Sequence, residues 1–328
     1  MSEQFFIEQL DEAIDAMVTR EAAAVSADAG SELAGLVLIA NELRLLPREN
    51  FKLSLREELV RSTNMTRAAT TKKESAGGAA ASYQTITPYL TVKRAEELVE
   101  FLKQAFGGVE IMRATGSAGG LHCEVVIGDS KLMIGGYEKV EEKLTALHLY
   151  VPDADAVYQR ALELGATSLE EPVDQFYGDR EAGVKDPSGN VWWIATHKAG
   201  NTHVPEDMRT VTPFLHPVGA AGLIDFMKAA FNADEVSREQ SPEGMIHHAI
   251  VRIGDSMIEM GEAHGELAQP MPPALFMTVD QLEESYERAL KAGAASLQAP
   301  STQAYGRTAW VQDSWGNIWY LTESVGQG

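Results

Sequence analysis

The chain has a single cysteine, Cys123, among 328 residues, which excludes an intrachain disulfide framework and a cysteine-rich zinc site. Positive charge is scarce: 27 Lys+Arg stand against 48 Asp+Glu, a formal net charge of -21. So acidic a surface repels phosphate backbones and anionic lipid heads, so neither nucleic acid nor membrane is an expected partner. Long apolar runs are missing as well; AGLVLIA is among the longest, far short of the roughly 20 residues that span a bilayer. The opening MSEQFFIEQLDEAID lacks the basic start and apolar core of a signal peptide, so a cytoplasmic protein is expected.

What is present is a repeat. ITPYLTVKRAEELVEFLKQAFGG from Ile86 matches VTPFLHPVGAAGLIDFMKAAFNA from Val211, placing Thr87 on Thr212 and Phe101 on Phe226. Downstream, HCEVVIGDSKLMIGG matches HAIVRIGDSMIEMGE, VYQRALELGATSLEEP matches SYERALKAGAASLQAP, and DPSGNVWWIAT matches DSWGNIWYLTE. The chain therefore carries a duplicated domain, over residues 84–199 and 208–326.

Each copy repeats within itself. A short β-rich run, ITPYLTV, precedes a segment with Ala95, Leu98, Leu102, Ala105 and Phe106 at helical spacing, closed by Gly107-Gly108. The runs VEIMRAT, LHCEVVIG and KLMIGG then read as strands. The order restarts with ALHLYV, the helix ADAVYQRALEL and further strands around ATSLEE, EAGVKD and VWWIAT. Asp186 to Asn190 and Asp313 to Asn317 read as hairpin turns with glycine supplying positive φ. Residues 1–64 differ, with three short amphipathic helical patterns, and 65–83 read as a small, polar, flexible linker.

Twice-repeated strand–helix–three-strand units, with ITPYLTV, an IGDS turn and a YGDR…DPSGN…WWIATH tail, resemble the vicinal oxygen chelate superfamily, in particular its PhnB-like glyoxalase/bleomycin-resistance/dioxygenase members. The resemblance covers both copies and not the helical start. It implies an α+β fold: two tandem domains of paired βαβββ modules, each forming a cup-shaped sheet with one cavity, preceded by a small all-α segment. It further implies that metal-using members bind one divalent ion (zinc, nickel, iron or manganese) through His, Gln or Glu on the first and last strands of each module. Other members bind a small organic molecule without metal.

Carried over residue by residue, the implied ligand positions are largely lost. They fall on Thr87 and Thr212 in the first strands, Met133 and Glu259 at the module ends, Ala146 and Ala274 at the second-module starts, and Trp193 and Tyr320 in the last strands. Only Glu259 is of ligand type, whereas a catalytic zinc site takes about three protein ligands. His148, two residues beyond Ala146 on the same strand face, and His248, the partner of His122, are the candidates to rebuild a metal site with Glu259. The bland alternative for each histidine is a hydrogen-bonded strand residue. Tyr177, Arg180, Tyr305 and Arg307 lie in matching loops; an arginine there grips an anionic group of a ligand or simply pairs with a carboxylate of its own loop. Strand alternation sends Trp192 and Trp319 beneath the helices and Trp193 and Tyr320 into the cups, and it buries Cys123 opposite His122.

Three readings follow. In the first, the protein binds a small molecule without metal, with Trp193 and Tyr320 stacking on it and Thr87 and Thr212 beside it. In the second, it is a metal-dependent lyase, isomerase or dioxygenase using His148, His248 and Glu259, with Glu259 as ligand or base. In the third, it is a scaffold or sensor acting through its N-terminal helices. A monomer with an internal pseudo-dimer, or a homodimer, is expected.

Overall fold

A computed structural model describes residues 84–116, 119–198, 202–265, 268–303 and 305–324. The predicted N-terminal helices and linker lie outside these residues. The rest belongs to one compact unit, Ser82–Gly328. It contains the strand–helix–three-strand pattern four times: β1 (Ile86–Thr91), α1 (Ala95–Phe106), β2 (Val109–Thr115), β3 (Leu121–Ile127) and β4 (Ser130–Gly136) form the first module. The second is β5 (Ala146–Tyr150), α2 (Ala154–Glu163), β6 (Thr167–Asp174), β7 (Asp179–Lys185) and β8 (Val191–His197). The third is β9 (Val211–Leu215), α3 (Ala220–Phe231), β10 (Asp234–Gln240), β11 (Ile246–Ile253) and β12 (Ser256–Met260). The fourth is β13 (Ala274–Val279), α4 (Leu282–Lys291), β14 (Ala295–Gln303), β15 (Gly306–Gln312) and β16 (Ile318–Glu323). The α+β class and the βαβββ modules are as the sequence predicts.

The strand order adds something the repeat does not reveal. One eight-stranded sheet runs β14-β15-β16-β13-β1-β4-β3-β2 and the other β10-β11-β12-β9-β5-β8-β7-β6. Each sheet thus joins one module from each copy: the fourth with the first, and the third with the second. The expectation of one cup per copy is corrected accordingly, because β1 pairs with β13 and β5 with β9, both antiparallel. The helical cores do stay within a copy. Leu98, Leu102, Val157 and Ala161 share one apolar cluster with Trp192, while Leu223, Met227, Leu282 and Ala289 share another with Trp319.

The IGDS motif explains how the copies hold each other. Its serines accept the first strand N–H of the opposite copy: Ile86 N–H donates to Ser256 Oγ at 3.0 Å and Val211 N–H to Ser130 Oγ at 2.9 Å. Beside them, Thr85 N–H donates to Asp255 at 2.8 Å and Thr210 N–H to Asp129 at 2.9 Å. Gly128 and Gly254 sit at φ 59°, and a Cβ on either would collide with Thr210 or Thr85, so the motif needs glycine for both conformation and contact. Ile86 and Val211 accordingly bury in the apolar cluster of the other copy.

The turns expected before the last strands are built on buried Asp186 and Asp313. Asp186 accepts from Ser188 N–H, Asn190 N–H, Asn190 Nδ2 and Trp192 Nε1, and Asp313 repeats the arrangement with Trp315, Asn317 and Trp319. Among the described residues no helix is long and apolar enough to cross a membrane.

Removing a serine hydroxyl from either clasp leaves a buried strand N–H without an acceptor. Ser256→Ala and Ser130→Ala are each expected to lower stability by about 1–3 kcal/mol in urea unfolding, by similar amounts because the clasps are equivalent.

Candidate functional site

Alternation along β5, β7, β8, β9, β11 and β12 sends every second side chain into the concave face of the second sheet. The opposite face of these strands carries Leu147, Leu149, Ala182, Trp192, Ala249 and Val251 into the helical cores. On the concave face stand Ala146, His148 and Tyr150 of β5, with His148 in register with Thr212 of β9 and Trp193 of β8. Glu259 of β12 lies in register with Phe214 of β9. The two residues singled out in different copies, His148 and Glu259, therefore meet in one cup.

They meet closely. His148 Nδ1 is 2.9 Å from Glu259 Oε2, and His248 Nε2 is 3.5 Å from the same oxygen. His148 Nε2 lies 3.2 Å from Glu181 Oε2 in a second ionic contact. The imidazole is thus clamped between two carboxylates, 5% exposed itself, with Glu259 at 2% and Glu181 at 8%. Tyr150 stacks on it at 4.3 Å between ring centroids, and Phe214 lies beyond at 6.3 Å. Glu259 Oε1 and Trp193 Nε1 are buried without a hydrogen-bond partner.

The charge state follows from the clamp. Burial alone drives the His148 pKa down, but the field of Glu259 and the contacts with Glu181 outweigh it, and the pKa is raised to about 10. Burial likewise pushes Glu259 up, and the His148 charge reverses this, holding it near about 2. Near neutral pH the clamp is a buried imidazolium between carboxylates, with one negative charge in excess. The hydroxyls of Tyr150 and Tyr177 are pushed up, first by burial and then by neighbouring carboxylates, so both stay protonated.

The donor types suit a divalent ion; their arrangement does not. A ligand nitrogen must be deprotonated, and its lone pair must converge with the others on a point about 2 Å away. Here His148 Nδ1 is already engaged by Glu259 Oε2 at 2.9 Å, and among the described residues no three His, Cys, Asp or Glu side chains group to hold an ion.

The other predicted residues separate. Trp193 lines this cup against Ala146, Val191 and Phe214. Tyr320 lines the other cup, 5.6 Å from Tyr89 and 5.2 Å from Trp310. That cup also contains Thr87, whose buried hydroxyl has no partner, and His122, whose Nδ1 is 3.1 Å from the Tyr89 hydroxyl. Tyr177 and Tyr305 are partly exposed on the β6–β7 and β14–β15 hairpins. Arg180 lies on the helix side of β7, forked onto Asp155 at 2.7 and 2.8 Å, and Arg307 lies on the helix side of β15 with Glu283. Neither arginine faces a cup; of the two alternatives the sequence left open, each makes a carboxylate pair. Arg180 pairs with the helix carboxylate of Asp155 and reaches Asp174 of its own hairpin at 3.5 Å, while the adjacent Asp179 accepts from His197 at 2.6 Å. Glu181 and Tyr150 escaped the sequence reading. Their position on the alternation shared with Trp193 and His148 was the available signal.

The sequence matches the family model described as Glyoxalase/Bleomycin resistance protein/Dioxygenase superfamily over residues 82–194 and 220–321. An uncharacterized protein of Mycobacterium bovis is 36% identical over 120 residues, spanning 33% of this chain and 79% of that protein. A counterpart in Mycobacterium tuberculosis is 36% identical over the same length, 71% of it. Among solved structures, glyoxalase I from Zea mays superposes with a TM-score of 0.55 at 14% identity, covering 73% of this chain and 92% of that one. A putative dioxygenase from Bacillus subtilis superposes at 0.51 and 11% identity, covering 74% and 87%. At these identities the likeness is one of fold.

The clamp gives a pH signature. A raised His148 pKa contributes stability that is complete below the unfolded value of about 6.5 and disappears as pH rises towards about 10. A lowered Glu259 pKa contributes stability that is present above about 4.5 and disappears as pH falls towards about 2. Urea midpoints measured against pH should fall on both sides. Glu259→Gln should cost about 3–5 kcal/mol at neutral pH and flatten the alkaline limb, with the His148 imidazole titrating at lower pH by NMR.

Proposed function

The chain belongs to the glyoxalase/bleomycin resistance protein/dioxygenase superfamily, and from that premise we propose that it binds a small planar organic cation, without metal, in the cup of the second sheet. The observation that carries this reading is the set of unmet valences around the clamp: Glu259 Oε1 and Trp193 Nε1 are buried with nothing to bond. A buried polar group left unpaired costs about 1–3 kcal/mol, a cost that a ligand offering a donor to Glu259 and an acceptor to Trp193 relieves. The excess negative charge favours a cation, and the acidity of the whole chain raises its encounter rate. Tyr150, Phe214 and Trp193 supply faces on which a flat ligand stacks. Thr212 stands beside His148, while Thr87, Tyr305 and Tyr320 belong to the other cup.

Each part of the clamp has a separate task in this reading. Glu181 and Glu259 hold the imidazole in its charged form and fix its plane, and Glu259 keeps one oxygen free for the ligand. Tyr177, on the hairpin between β6 and β7, carries a hydroxyl whose proton burial first and then the same carboxylates retain. The metal-dependent lyase, isomerase or dioxygenase reading requires His148 to exchange its 2.9 Å contact with Glu259 for an ion. The scaffold reading depends on residues outside the described ones. Because the copies complete each other's sheets, we read the chain as a monomer that contains its own pseudo-dimer.

Thermal shift of the full chain with benzamidine and aminoquinolines, after chelator treatment, tests the proposal. A saturable rise in Tm is expected, lost in Glu259→Gln and weakened about tenfold in Trp193→Ala, as the loss of one aromatic face with its N–H predicts. No rise with any planar cation, or a rise that Glu259→Gln leaves intact, overturns it. A rise produced by zinc or nickel and abolished by His148→Ala moves the assignment to the metal reading.

A further inference from the structure

Each copy holds a surface cleft between the same three segments: the loop entering its first helix, the linker between its modules, and the turn before its last strand. The cleft of the first copy, about 570 Å³, is lined by Lys93, Arg94, Glu138, Glu142, Pro187 and Ser188. Its charges answer one another: Lys93 pairs with Glu142 at 3.4 Å, Arg94 with Glu97 at 2.9 Å, and Arg94 also donates to the Pro187 carbonyl at 3.3 Å. Nothing there asks for a ligand.

The cleft of the second copy, about 440 Å³, has opposite chemistry on the same frame, with His216, Val218, Pro270, Met271, Pro272 and Trp315 among its lining residues. The repeat shows how far the change goes. Val218 stands where the first copy has Lys93, Trp315 where it has Ser188, and Gly222 where it has Glu97. These replacements fit one another. Trp315 Nε1 donates to the Val218 carbonyl at 2.9 Å, and its ring lies so close to α3 that a Cβ on Gly222 would come within 2.9 Å of it. The fold does not demand this apolar wall, since the first copy folds the same way around charges.

Beside Ser314 and Asn317, one ionisable side chain lines this mainly apolar cleft. His216, the repeat partner of Thr91, is 7% exposed, packs against Phe214 at 4.6 Å and has no hydrogen-bond partner among the described residues. Burial first, and then the neighbouring His264, pulls its pKa down to about 4, so the imidazole is neutral and can both accept and donate. Met271 links the cleft to the cup beyond it, packing on the Ala146, Val191 and Trp193 cluster.

We propose that this cleft is a second small-molecule site, separate from the cup, which takes an uncharged planar aromatic bearing a hydroxyl: the ring lies against Trp315 and Met271 and the hydroxyl bonds His216. A cleft of this size, mainly apolar with a few polar groups in His216, Ser314 and Asn317, has the character of a small-ligand site. The absence of any other ionisable side chain among its lining residues sets it apart from its charged counterpart and disfavours an ionic ligand.

The test is a titration of the full chain with β-naphthol, followed by NMR through the indole N–H of Trp315 and the imidazole of His216. Saturable shifts of both are expected. Trp315→Ser, which installs the residue of the first copy, should weaken binding about tenfold, and His216→Phe should weaken β-naphthol by a similar factor while leaving naphthalene unaffected. Both positions lie at the cleft surface or its rim, and an unchanged far-ultraviolet circular dichroism spectrum checks that each variant folds. Absence of saturable shifts at Trp315 overturns the proposal, as does affinity that both variants leave unchanged. Shifts at the Trp193 indole without any at Trp315 place the probe in the cup and overturn it equally.

Discussion

Everything in the described structure hangs on two antiparallel pairings between copies, β1 with β13 and β5 with β9. Neither sheet exists without them, since each is half built from one copy and half from the other. The serine clasps fix the register of these pairings by taking up the first N–H of each entering strand. With the copies interleaved in this way, the helical cores cannot separate without exposing the strand residues that each copy buries in the other. Stability and the two cups are consequences of one arrangement.

That arrangement also decides which side chains can meet. His148 lies in the first copy and Glu259 in the second, 111 residues apart, yet they form the closest contact of the charged cluster. A buried pair of this kind is held by desolvation as much as by attraction. Charges removed from water need each other, and taking one away strands its partner. The third member, Glu181, makes the imidazolium more stable than the pair alone would. It also leaves the cluster with an excess negative charge that the protein does not itself neutralise.

The modules, their order and the faces of their strands were legible in the sequence because each obeys a short-range rule. Alternation placed Trp192 and Trp319 beneath the helices and Trp193 and Tyr320 in the cups, and the structure agrees. What alternation cannot reveal is which strands become neighbours. Assigning one cup per copy made His148 and Glu259 look like fragments of two separate sites. The same gap hid Glu181, whose importance depends on facing His148. For Arg180 and Arg307 the choice between a ligand anion and a carboxylate pair also turns on strand direction: both lie one residue off the cup-facing alternation, which turns their guanidinium groups to helix carboxylates.

Interleaving also explains why duplication yielded two unlike cups. Each cup takes one module from each copy, so a substitution in one copy changes a single wall of a single cup. The second sheet has His148, Glu181 and Glu259 where the first has Phe276, Thr308 and Met133, and it has Phe214 where the first has Tyr89. Every charged member of the clamp is thus matched in the other cup by an uncharged residue, two of them apolar. The first sheet instead places Glu124 and Lys131 in a 3.0 Å ion pair where the second has Ile250 and Met257. A buried charge is tolerated only where its partner is already in place, so the two walls of the charged cup had to change together across the copy boundary. In the first sheet that buried pair lies within one copy, and Tyr89, Trp310 and Tyr320 bury apolar area whatever faces them, so no such coupling crosses the copy boundary. The charged cup is therefore the more constrained of the two, and its chemistry is the more specific.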